Sequence, residues 1–144
     1  MSAVVQWLPS AEEISAVLED LGMVANAKTK TVSGGTAFAY GEVGYIHTDG
    51  TVRLGQVTTE AAATIAVVCL AAAGVASGAA GLFGFPGCLV GGLSGLTIGK
   101  QYLAADGTLT ATPPSADWSV VVGVADSATS FHFLPGTPFD LSPE

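Results

Sequence analysis

The phrase YIHTDGTVRL at 45–54 returns as YLAADGTLTA at 102–111. Tyr45/Tyr102, Asp49/Asp106, Gly50/Gly107 and Thr51/Thr108 all stand 57 positions apart, and Ile46/Leu103 and Val52/Leu109 match as apolar pairs at the same offset. A central Asp-Gly between alternating apolar and polar residues is a strong short-range signal for a β-hairpin. Glycine supplies the positive φ of such a turn; aspartate tolerates it while hydrogen-bonding to the local backbone. The same offset carries ATIAVV (63–68) onto VVVGVA (120–125). The repeating unit is therefore a hairpin, a loop of about ten residues and an apolar strand.

Two such units, each with an apolar face to bury, predict one shared core. With further strands at AAGLFGF (79–85) and SFHFLP (130–135), eight or nine short strands are expected, closing into a small β-sandwich or barrel. The repeats are placed at about 41–70 and 98–127, inside a β domain at 34–135, with a C-terminal tail at 136–144. The second loop, TPPSADW (112–118), is stiffened by its two prolines.

The first 33 residues read differently. Ser10 with Glu13 three positions later is a capping box, and Ile14, Val17, Leu18 and Leu21 form one apolar stripe at helical spacing. Gly22 stands where a left-handed C′ residue belongs. The spacing predicts a helix over 11–21, too short to be stable alone. It must dock on this chain's own β domain or on a neighbouring subunit. The small, polar 23–36 stretch reads as a linker or extended arm. Trp7 and Phe139, each in a short terminal segment, join Ile14, Val17, Leu18 and Leu21 as candidate assembly contacts. Asp49, Gly50, Asp106 and Gly107 are structural turn residues.

Four Lys/Arg (Lys28, Lys30, Arg53, Lys100) against twelve Asp/Glu give a net charge of −8, and the four form no patch in sequence. Nucleic-acid binding needs clustered cations against phosphate, so no such partner is expected. An anionic membrane surface would repel the chain. The stretch 61–99 holds no charge, but its nine glycines and Pro86, with no flanking basic cluster, fit turns between strands better than a membrane span. Gly74, Gly78, Gly81 and Gly84 are read as such turns. No secretory signal pattern opens the sequence, and two cysteines, Cys69 and Cys88, make no disulfide framework or metal motif. They are read as buried thiols in a chain made in a reducing cytoplasm.

No catalytic constellation emerges. His47, Asp49 and His132 lack the further ligands and spacing of a metal site. There is no GxSxG, the Gly-rich stretches lack the lysine of a phosphate loop, and Asp126 has no evident carboxylate partner. No enzyme, metal or cofactor is expected. Trp118, beside the Pro-Pro loop, is the one candidate platform for a glycan.

The C-terminal half, GLSGLTIGKQYLAADGTLTATPPSADWSVVVGVADSATSFHFLP, resembles a pattern of tailed-bacteriophage virion proteins, in which gLtpGxxYyLsadGxlTttpP precedes vxxVGxAlsaTxlxfxP. Leu96, Gly99, Tyr102, Leu103, Asp106, Gly107, Pro113, Pro114, Val122, Gly123, Ala125, Thr129 and Phe133 occupy its positions. The likeness extends over roughly 41–135, and its earlier part resembles capsid cement and decoration proteins and tail-fibre modules. It implies a non-enzymatic structural role in the virion, assembled in the host cytoplasm. A head decoration protein on the major capsid protein is the leading expectation, and a tail, baseplate or fibre component is the alternative. The resemblance also implies a homo-oligomer, with a trimer as the common form.

Overall fold

A computed structural model describes residues 27–115 and 117–141. Its strands are β1 (Ala27–Thr31), β2 (Val43–Ile46), β3 (Val52–Leu54), β4 (Val67–Cys69), β5 (Ala80–Gly84), β6 (Leu89–Val90), β7 (Gly99–Leu103), β8 (Leu109–Thr110), β9 (Trp118–Ser119), β10 (Val121–Ala125), β11 (Phe131–Phe133) and β12 (Phe139–Asp140). One helical turn, α1 (Glu60–Ala63), precedes β4 and is capped by the Thr59 hydroxyl accepting from the Ala62 amide. The fold is mainly β, a small sandwich-like arrangement of antiparallel sheets. The predicted N-terminal helix lies outside the described residues, as do Trp7, Ile14, Val17, Leu18 and Leu21.

The doubling is topological as well as textual. The first sheet runs β1-β5-β4-β2-β3 and the second β6-β11-β10-β7-β8. Counted among the five strands of each sheet, both orders are 1-5-4-2-3. The hairpin registers coincide too: Tyr45 faces Arg53 as Tyr102 faces Thr110, and Ile46 faces Val52 as Leu103 faces Leu109. His47 donates to the Thr51 carbonyl at 2.8 Å, and Ala104 donates to that of Thr108 at 2.8 Å.

Beyond the hairpins the equivalence slips by one. Gly44 pairs with Val67, but Gln101 pairs with Gly123: the connection is one residue shorter in the second unit, even though a bulge between Val121 and Gly123 leaves Val122 unpaired there. The later strands therefore correspond at 56 residues, not at the 57 of the sequence reading. The final strands of the two sheets then align Phe83-Gly84-Phe85 with Phe131-His132-Phe133: Cys69 faces Phe83 as Ala125 faces Phe131.

Three other stretches differ from expectation. Residues 27–31, inside the stretch read as a linker or extended arm, form an edge strand along β5, and Val32 is buried behind it. An edge strand needs only one paired side, so a polar AKTKT suffices. Gly81 and Gly84, read as turns, lie inside β5, where a Cβ would sit 2.2 Å from Val75 and 2.5 Å from the Cys88 sulfur. Gly74 and Gly78 do turn the chain, with φ of 78° and 75°. In the C-terminal tail, β12 pairs with β9, so Phe139 faces Ser119.

Two apolar cores hold the layers together. Val43 and Val68 of the first sheet pack with Val90, Leu103, Val122, Ala125, Phe131 and Phe133 of the second. The opposite face of the first sheet, with Val52, Val67, Cys69 and Phe83, is covered by Val32, Phe38 and Val75. There Phe38 meets Phe83 edge-on at 5.0 Å between ring centres.

These memberships fix how the units stack. The row Ala27–Gly84–Val68–Val43 across the first sheet corresponds to Leu89–His132–Val124–Lys100 across the second. Val43 and Val68 are buried between the sheets, whereas all four residues of the second row are exposed. Conversely, Phe83 and Cys69 lie in the outer core while their counterparts Phe131 and Ala125 lie between the sheets. The two units are stacked front to back, not face to face.

Candidate functional site

The hairpin turns share a dipeptide and differ in setting. In the first, Gly50 donates to the His47 carbonyl at 2.9 Å and has φ of 85°, a three-residue loop with glycine in the left-handed position. Asp49 accepts from the Thr51 hydroxyl at 2.6 Å and the Thr51 amide at 3.0 Å, and its other neighbour is His47 Nδ1 at 3.2 Å. The Thr51 hydroxyl and amide, with the imidazole, lower the Asp49 pKa to about 2.

The second turn has positive φ at both Asp106 (57°) and Gly107 (71°), as the type I′ class requires. It is docked on the first unit. Gln56 donates to the Asp106 carboxylate at 2.6 Å, and the Gly107 amide donates to the Gly55 carbonyl at 2.9 Å. Thus one Asp-Gly closes a free hairpin and the other locks the two units together.

A second polar cluster lies at the end of β10. Asp126 accepts from the Ser130 hydroxyl at 2.5 Å, and its other oxygen lies 3.3 Å from His132 Nε2. The Ser130 hydrogen bond, aided by His132, holds its carboxyl below the usual range. Here the carboxylate sits between serine and imidazole. A nucleophilic triad needs the imidazole on the serine, with the carboxylate behind it. The order found braces the 126–130 turn instead.

The two cysteines are free, and burial pushes both thiols up, away from the thiolate that nucleophilic or metal chemistry uses. Among the described residues no three His, Cys, Asp or Glu side chains group as a metal site. Nor is any described helix long and apolar enough to cross a membrane.

Among the described residues, clefts of about 420–490 Å³ open on the surface. One lies beside the first hairpin, between Tyr45, Ile46 and His47 and the Ala61–Ala66 region. Another is lined by Gly34–Ala37, Arg53, Gln56 and Asp106, beneath the docked turn. This second cleft brings Tyr45, Arg53, Gln56 and Asp106 together, with the Asp106 carboxylate held by Gln56.

No family model, curated protein or solved structure matches this chain.

The surface then carries the functional argument. Phe139 is 67% exposed on the β9–β12 ribbon. Trp118, its neighbour there, is half-buried against the inter-sheet core. Exposed Leu89, Val124, Ile98 and Leu134 lie on or beside the outer row of the second sheet. Sequence reasoning missed that row. Part of its signal was available: Lys100 stands at the repeat offset from Val43, whereas the match of His132 to Gly84 comes only from the strand pairing.

Proposed function

We propose that this chain is a non-enzymatic structural protein of a tailed-bacteriophage virion, a head decoration protein that binds the major capsid protein and bridges its subunits. The phage-like phrase of the second unit carries this reading. Residues of that phrase make the docked turn at Asp106-Gly107, the bulge at Val122-Gly123 and the core side chains Leu103, Ala125 and Phe133. Burying apolar surface across a joint strengthens a shell without chemistry. Phe139, projecting from a ribbon fixed at both strands, suits such a contact, since a pre-positioned aromatic loses little freedom on binding. The acidic charge suits an exterior position away from packaged DNA. The homo-oligomer implied by the resemblance, trimeric in its common form, belongs to the same reading.

Co-sedimentation with separated heads and tails of the cognate phage tests it. The wild-type chain should pellet with heads, and Phe139→Asp should weaken this by about tenfold or more. Pelleting with tails alone would overturn the capsid assignment in favour of a tail, baseplate or fibre component.

A further inference from the structure

Arg53 is one of four cations in a chain of twelve carboxylates, yet no carboxylate among the described residues pairs with it. Its Nε is sealed from water and meets no acceptor there. A sealed donor without an acceptor is costly, and each one in a folded protein calls for a reason. The hairpin does not supply that reason. Arg53 stands opposite Tyr45; at the equivalent place in the second unit, in the same register, Thr110 stands opposite Tyr102. The repeated architecture is built there without a cation.

Arg53 lines the cleft of about 440 Å³ beneath the docked turn, a volume within the range of small-molecule sites. Asp106 shares the wall without pairing with Arg53, and Gln56 donates to one of its oxygens at 2.6 Å. The cleft thus holds a cation without an anion and a carboxylate with accepting capacity to spare. A ligand carboxylate answers the first, since it accepts from two guanidinium N–H groups at once. Hydroxyl donors answer the second. Phosphate, with its larger negative charge, would be repelled by Asp106. Tyr45 and Thr36, on the same wall, add hydroxyls that both donate and accept. We infer that this cleft binds a sugar acid, a hydroxylated ring bearing one carboxylate, with that carboxylate on Arg53 and a ring hydroxyl donating to Asp106. The site draws on both units, so the docking of the Asp106-Gly107 turn completes it. It goes beyond the virion reading and does not depend on it.

Titration of the full-length chain with glucuronate, followed by NMR shifts, tests this. Glucuronate should move the Arg53, Gln56 and Asp106 signals saturably. It should bind at least about tenfold more tightly than glucose, which lacks the carboxylate, or acetate, which lacks the hydroxyls. Arg53→Thr installs the residue that the second unit carries at this position; it should fold and bind glucuronate at least about tenfold more weakly. Should it fail to fold, Arg53→Lys, which keeps the charge but loses the paired N–H fork, should show the same weakening. Tighter binding of a linear polyuronate, per residue, would make the ligand a polymer segment and tighter binding of glucuronate the free acid; either supports the site. The absence of saturable shifts, equal binding of glucuronate and acetate, or undiminished binding by the Arg53 variants would overturn it. So would tighter binding of alanine, which would make the ligand an amino acid. Head binding by Arg53→Thr should match wild type, so the two readings fail separately.

Discussion

Asp49 shows how much a single turn residue can be shaped without burial. Two hydrogen bonds from Thr51 and one imidazole neighbour favour its charged form, so its pKa falls from 3.8 to about 2. The folded value is the lower one, so the unfolded chain binds the proton first as pH drops. The stabilisation is therefore fully present above about pH 5 and is lost as pH falls from about 4 through 2. Asp49→Asn should be less stable than wild type at neutral pH. The gap should close over that acid window, as read by urea denaturation at a series of pH values. His47 and Asp49 were visible in the sequence as neighbours across a strand end. That Thr51 is the stronger partner depends on the loop geometry, which an Asp-Gly dipeptide leaves open.

At the level of elements, the two hairpins have the same register but different surroundings, and the glycines separate them. A Cβ on Gly50 would meet nothing within 4 Å, whereas on Gly107 it would lie 2.5 Å from the Val43 carbonyl oxygen. Gly50→Ala should cost only the left-handed backbone penalty, about 1 kcal/mol. Gly107→Ala adds a backbone clash at the joint between units and should cost about 3 kcal/mol or more, measurable as a difference in denaturation midpoints. The hairpins, AAGLFGF and SFHFLP were legible because alternation and Asp-Gly turns are local signals. The strand at Ala27–Thr31 was not, because an edge strand made of Lys and Thr has no apolar alternation to show. The one-residue slip between β4 and β10 was also hidden, because the shorter connection and the bulge after Val121 both show only in the pairing. Phe139 is exposed on a ribbon, and the five N-terminal positions lie outside the described residues.

For the molecule as a whole, the repeat in the sequence predicted one core shared by two apolar faces, whereas the structure has two cores in a front-to-back stack. The side chains that break the repeat set this stacking. Val43 and Gly84 in the first unit become Lys100 and His132 in the second, and only a front-to-back stack sends the second pair to solvent. This asymmetry leaves one end of the stack closed by its own loop residues and the other end exposed among the described residues. The most direct test compares Val68→Asp with Val124→Asp, equivalent positions in the two units, by thermal denaturation. Val68 is fully buried between the sheets, so a carboxylate there should abolish cooperative folding. Val124→Asp should fold cooperatively and lose no more than about 1.5 kcal/mol, the scale of one partly covered apolar side chain. Equal loss at the two positions would contradict the front-to-back stack.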